Sequence, residues 1–210
     1  MVFLEGSADF RSEVVIAYEM GYRAQITGRT SLSLSTYFND YNDVRSTSIT
    51  PATIIPLYFQ NNLEGHTYGA ELTGTYQLLD NWSLHLGYDL LQEYLHVKPG
   101  TFDLDNALNE TADPQQQVSL RSSLTLVANI EFDAALRWVD SLPINSGAAV
   151  GIVPSYFGLD SRLAWRGPKG IELSLVGQNL LQPRHVEYGF PSPLREQIDR
   201  SLYAKIAWQF

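Results

Sequence analysis

Four histidines, twelve tyrosines and no cysteine set the chemistry open to this chain of 210 residues. In HLGYD, His85 and Asp89 have the types for acid–base work, yet a lone His–Asp pair is common in structural roles. Tyr94 and His96, in YLH, and His185, Glu187 and Tyr188, in HVEY, join imidazoles to phenols and a carboxylate. Those donors could meet a metal chelate if they face an open vestibule. His66, His96 and His185 do not share metal-ligand spacing, so no resident metal is expected. Arg23, Arg121, Arg137 and Arg162 could guide anions by their field or join salt-bridge networks. No catalytic constellation emerges, thiolate chemistry is excluded, and neither an enzyme nor a cofactor is expected.

These side chains need elements to hold them, and the dominant period along the chain is two. In IEFDAALRWV, Ile130, Phe132, Ala134, Leu136 and Trp138 alternate with Glu131, Asp133, Ala135 and Arg137. NWSLHLGYDL sets Trp82, Leu84, Leu86, Tyr88 and Leu90 opposite Ser83, His85 and Asp89. Such alternation marks strands with two unlike faces. It predicts an all-β chain of about nine strands, near 13–26, 31–46, 57–77, 82–97, 115–127, 130–140, 155–166, 171–187 and 198–210. Many are roughly ten residues or longer, the length a tilted strand needs to cross a hydrocarbon core.

Connections alternate in length. TGRT (27–30), LDN (79–81), AN (128–129) and GPKG (167–170) are short turns, whereas RSTSITPATIIPL, KPGTFDLDNALNETADPQQ, DSLPINSGAAVGIVP and EYGFPSPLREQ are long. One short-turn end and one long-loop end is the layout of outer-membrane barrels, whose apolar face meets lipid and whose polar face lines the lumen. Trp82, Tyr88, Trp138, Trp165 and Trp208 lie near strand ends on the apolar face, where interfacial girdles form. Aromatics make up 12% of the chain and charged residues 18%. The net charge of −9 argues against a nucleic-acid partner. No apolar run suits a membrane helix, and the N-terminal stretch MVFLEGSADFRSEVV lacks a signal-peptide pattern.

The last residues, SLYAKIAWQF, alternate up to a terminal aromatic and resemble the signal read by the outer-membrane barrel assembly machinery, carried here by Trp208 and Phe210. SEVVIAYEMGYR followed by LSLSTYFNDYNDVRS resembles paired barrel strands of TonB-dependent outer-membrane receptors. So do NNLEGHTYGAELTGTYQLLDNWSLHLGYDLL and VPSYFGLDSRLAWRGPKGIELSLVGQNLLQPRHVEYG, the latter with a G-x-N-L at Gly177, Asn179 and Leu180. The resemblance runs through the whole chain in the order of that family's C-terminal half.

This likeness implies an antiparallel transmembrane segment of about nine strands, an incomplete portion of a barrel of about 22. Residues 1–210 would then be the C-terminal part of a receptor in the outer membrane of a Gram-negative bacterium, without the plug domain and the N-terminal barrel strands. Implied partners are the plug, TonB, outer-membrane lipid, the assembly machinery and a ferric siderophore or similar chelate. Tyr94, His96, His185 and Tyr188 would be placed to touch ligand, and Arg23, Arg121, Arg137 and Arg162 would face lumen or plug. Two other readings remain open at this point. One is a complete small outer-membrane barrel with a surface hydrolase or adhesin role. The other is a secreted soluble β module.

Overall fold

The computed structural model describes residues 3–49, 54–108, 110–146, 149–189 and 195–209. Its strands are β1 (Leu4–Glu5), β2 (Val14–Thr27), β3 (Thr30–Ile49), β4 (Leu57–Leu79), β5 (Trp82–Val97), β6 (Gln116–Val127) and β7 (Ile130–Val139). They continue as β8 (Leu142–Ser146), β9 (Ala149–Val153), β10 (Tyr156–Arg166), β11 (Ile171–Gln178), β12 (Arg184–His185), β13 (Ile198–Asp199) and β14 (Ser201–Trp208). The main sheet runs in the order β14-β11-β10-β7-β6-β5-β4-β3-β2. Every neighbouring pair along this path is antiparallel. Among the described residues β2 and β14 each pair on one side only, so these strands do not close on themselves.

The short turns fall where their residues predict. Gly28–Arg29, Asp80–Asn81 and Ala128–Asn129 join successive strands directly, and a 3-10 turn over Pro168–Gly170 joins β10 to β11. Gly170 there has φ +72°, and a Cβ on it would stand 2.4 Å from the Gln209 carbonyl oxygen. Only glycine fits that conformation and that gap.

Cross-strand register keeps the two faces separate. On the apolar face Leu86 pairs with Leu120, Leu120 with Leu136, Leu136 with Leu159, and Leu163 with Leu175. Rings gather at both ends of this face. Trp82, Trp165 and Trp208 stand at the short-turn end, while Tyr18, Phe38, Tyr68 and Tyr94 form a stacked row further out, each ring centroid 5.9–6.4 Å from the next or bridged by His66. Trp82 and Tyr94 share strand β5. Their separation along it, at about 3.3 Å per residue and a tilt near 40°, spans roughly 30 Å, the thickness of a bilayer core.

The buried clusters sit at the long-loop end, where loops pack onto the outer parts of the strands. Val44, Leu63 and the loop residue Ala107 are buried together, with Tyr41, Leu95 and Val97 packed round them. Leu142, Ile144 and Val153 of the β8–β9 hairpin make a second cluster against Ala112 and Val186. Loop 98–115 is pinned to the β3–β4 ribbon through Asp103. Its carboxylate accepts from the Thr47 N–H at 2.7 Å and the Ala107 N–H at 2.9 Å.

The structure corrects the expected elements in four places. The strand expected over 171–187 ends at Gln178. Asn179 adopts a left-handed backbone (φ 54°), and its N–H donates to Asp160 Oδ1 at 2.9 Å, so the chain leaves the sheet while the side-chain alternation continues. The strand expected over 198–210 is two pieces, one pairing with β12 and the other with β11; Phe210 lies outside the described residues. The expected loop DSLPINSGAAVGIVP contains the β8–β9 hairpin, and β3 extends to Ile49 within RSTSITPATIIPL.

Candidate functional site

The polar face carries two side-chain networks. Near the short turns, Arg162 sits at the centre of the first: Nη1 reaches Asp133 Oδ2 at 2.9 Å and Nη2 reaches Glu172 Oε1 at 2.6 Å. Arg166 Nη1 adds Glu131 Oε1 at 3.0 Å. The register explains the convergence, since Arg162 pairs with Asp133, Ala164 with Glu131 and Arg166 with Glu172. Charges from three strands, β7, β10 and β11, are thereby paired within the wall itself.

Further toward the long loops lies the second network, built on Arg137 of β7. Its guanidinium reaches Asp160 Oδ2 at 3.5 Å, Asn179 Oδ1 at 3.3 Å and Glu187 Oε1 at 3.1 Å. Glu187 Oε1 also meets His185 Nε2 at 2.8 Å, and the His185 ring stacks on Tyr156 with centroids 4.4 Å apart. His185 is buried and its Nδ1 has no partner among the described residues. Burial pushes the Glu187 carboxyl up, but the bond to His185 and the Arg137 charge outweigh it and hold Glu187 below its ordinary range. This network fastens residues 179–187 to the sheet wall.

The candidate residues divide accordingly. His185 joins the Arg137 network, whereas Tyr188 is 80% exposed and contributes its carbonyl to Arg195 Nε at 3.3 Å. Tyr94 and His96 share the face of Leu84 and Leu86, away from the polar networks. There Tyr94 stacks on His66 at 5.3 Å and His96 approaches Glu64 at 3.5 Å. Arg137 and Arg162 are the hubs just described, while the guanidinium groups of Arg23 and Arg121 make no hydrogen bond or ion pair among the described residues. His85 and Asp89 lie on the polar face, too far apart along an extended strand to touch; His85 Nδ1 instead meets Thr75 Oγ1 at 3.3 Å. Trp208 stands on the apolar face and its Nε1–H donates to the Lys169 carbonyl at 3.1 Å.

Sequence reasoning missed Asn179 as a structural hub, Asp160 as its acceptor and Tyr156 as the ring stacked on His185. The signal for Asn179 was present: a residue type tolerant of left-handed backbone, directly before Leu-Leu-Gln-Pro. The Arg137–Glu187 pairing spans fifty residues and leaves no local trace.

Comparison with known proteins agrees with this geometry. Residues 2–180 match the sequence model of the family described as TonB dependent receptor-like, beta-barrel. Among solved structures, the FrpB iron transporter from Neisseria meningitidis superposes with a TM-score of 0.80 at 12% identity, covering 99% of this chain and 33% of that one. The ferric-catecholate import receptor Fiu from E. coli K12 gives 0.70 at 19% identity, with 93% and 27% covered. The siderophore receptor PirA from Acinetobacter baumannii gives 0.74 at 15%, with 99% and 33% covered. The chain thus spans about a third of the length of these structures.

Proposed function

Since the chain belongs to the TonB-dependent receptor-like β-barrel family, we propose that it supplies the C-terminal portion, residues 1–210, of an outer-membrane receptor barrel of about 22 strands. The receptor binds a scarce ligand, a ferric siderophore or similar chelate, and admits it with energy delivered through TonB. The carrying observation is the separation of faces: leucine ladders bounded by two ring belts on one side, charged networks on the other. A soluble sandwich would cover the apolar face, yet Met20, Leu202 and Ile206 are each about 70% exposed. A complete small barrel would pair β2 or β14 on both edges.

On this reading lipid meets the leucine ladders, and the polar face meets the lumen and the plug. The external rim near His185 and Tyr188 is the part of this chain closest to an arriving ligand. The alternating residues up to Trp208 and Phe210 serve as the mark read by the assembly machinery. The test is uptake of radioactive ferric chelates and of cobalamin by cells with and without the full receptor gene. Loss of ferric uptake alone is expected; unchanged uptake of both would remove the proposal.

A further inference from the structure

Charged side chains of the polar face fall into two sectors. Across β2–β5 the carboxylates Glu19, Glu71 and Asp89 share the face with Arg23, and among the described residues no ion pair joins them. Across β6–β11, the carboxylates Glu131, Asp133, Asp160 and Glu172 are each engaged by Arg137, Arg162 or Arg166. The first sector therefore carries unpaired negative charge, whereas in the second every one of these four carboxylates is paired, shared among three guanidinium groups.

Arg121 adds a fourth cation to this sector and brings its charge to balance. It is exposed, and its guanidinium has no hydrogen bond or ion pair among the described residues. It borders a depression that Ser123, Asp133, Ala135, Asp160 and Arg162 also line. Its neighbour across the β6–β7 ladder is Ala135, whose small side chain leaves the guanidinium open. Both carboxylates at the depression are already engaged, Asp133 by Arg162 and Asp160 by the Asn179 N–H and Arg137. An anion arriving there meets one free cation and no free carboxylate, whereas on β2–β5 it meets several unscreened carboxylates. A narrow passage between low-dielectric walls magnifies that difference.

Resting on the reading of this chain as a receptor barrel, we propose that anionic solutes, negatively charged chelates included, pass along the β6–β11 sector in contact with Arg121 and are turned away from β2–β5. The experiment uses the full receptor in outer-membrane vesicles, free of other cysteines, with Ser123→Cys or Thr73→Cys as the single thiol. Both positions are exposed on the polar face, one in each sector. Each thiol is reacted with two methanethiosulfonates of similar size, the sulfonatoethyl anion and the trimethylammonioethyl cation.

The anion-to-cation rate ratio cancels any shielding that slows both reagents alike. It is expected to be about tenfold higher at Ser123→Cys than at Thr73→Cys, and to fall several-fold when Arg121→Gln is added. Equal or reversed ratios, or no response to Arg121→Gln, would overturn the proposal. No transport enters this measurement, so its failure leaves the uptake reading standing, and loss of the uptake reading leaves the ratio interpretable.

Discussion

Arg137 lies flat across Gly158, the residue it pairs with on β10: a Cβ on Gly158 would stand 2.8 Å from Arg137 Nε and 3.1 Å from Cγ and Cζ. The missing side chain is what lets the guanidinium reach sideways to Asp160, Asn179 and Glu187. One bare backbone position on the wall thus decides where an external segment is moored.

Gly158→Ala should lift Arg137 and loosen that mooring at a cost of about 1 kcal/mol, the scale for one methyl forced into an occupied place. A spin label at Tyr188→Cys in the full receptor should become markedly more mobile. Glu187→Gln should give a smaller gain, because the ion pair it weakens is partly exposed. An unchanged spectrum in both variants would show that the segment is held by something else.

Asp103 supplies a pH-dependent clamp. Burial pushes its carboxyl up, but a side-chain bond with Asp105 and the N–H donors of Ala107 and Thr47 outweigh burial and set it below the ordinary carboxylate value. A depressed pKa contributes stability that is complete above the ordinary value and is lost as pH falls through the depressed one. Amide exchange at Thr47 and Ala107 should therefore stay slow at neutral pH and accelerate, beyond its intrinsic trend, only in strong acid. Asp103→Ala should speed exchange at neutral pH by an opening cost about 2–3 kcal/mol smaller, since two inward N–H groups lose their acceptor.

The unpaired edges of β2 and β14 make a third case. In lipid every backbone N–H and C=O needs a partner, and two open edges leave a strand's length of them bare. Expressed by itself, the 210-residue chain should give no band whose gel mobility changes on heating. A heat-modifiable monomer would contradict this directly.

Strand positions were legible because local rules decide them. The ends of β5 fall at Trp82 and Val97 as alternation and the Asp80–Asn81 turn predict, and β7 ends within a residue of expectation. Counted from Trp82, Tyr94 and His96 fall on the leucine side, a parity that the expectation of ligand contact did not apply to them. What escaped was decided at a distance. Nothing near Gln178 says that the strand stops; the carboxylate that fixes Asn179 sits on β10, nineteen residues earlier. For the same reason the networks round Arg137 and Arg162 became visible only once register aligned their partners.

Gly65, with φ +147° and the Tyr94 carbonyl 2.0 Å from where its Cβ would be, marks the place where the β3–β4 register shifts between Tyr41 and Val44. Below that bulge, gaining or losing a single residue would swing every following side chain from oil to water. Above it, the ribbon is tied by loops that can be redrawn. Kindred sequences should consequently differ in length almost wholly in this outer crown, while the staves beneath keep an unchanging residue count.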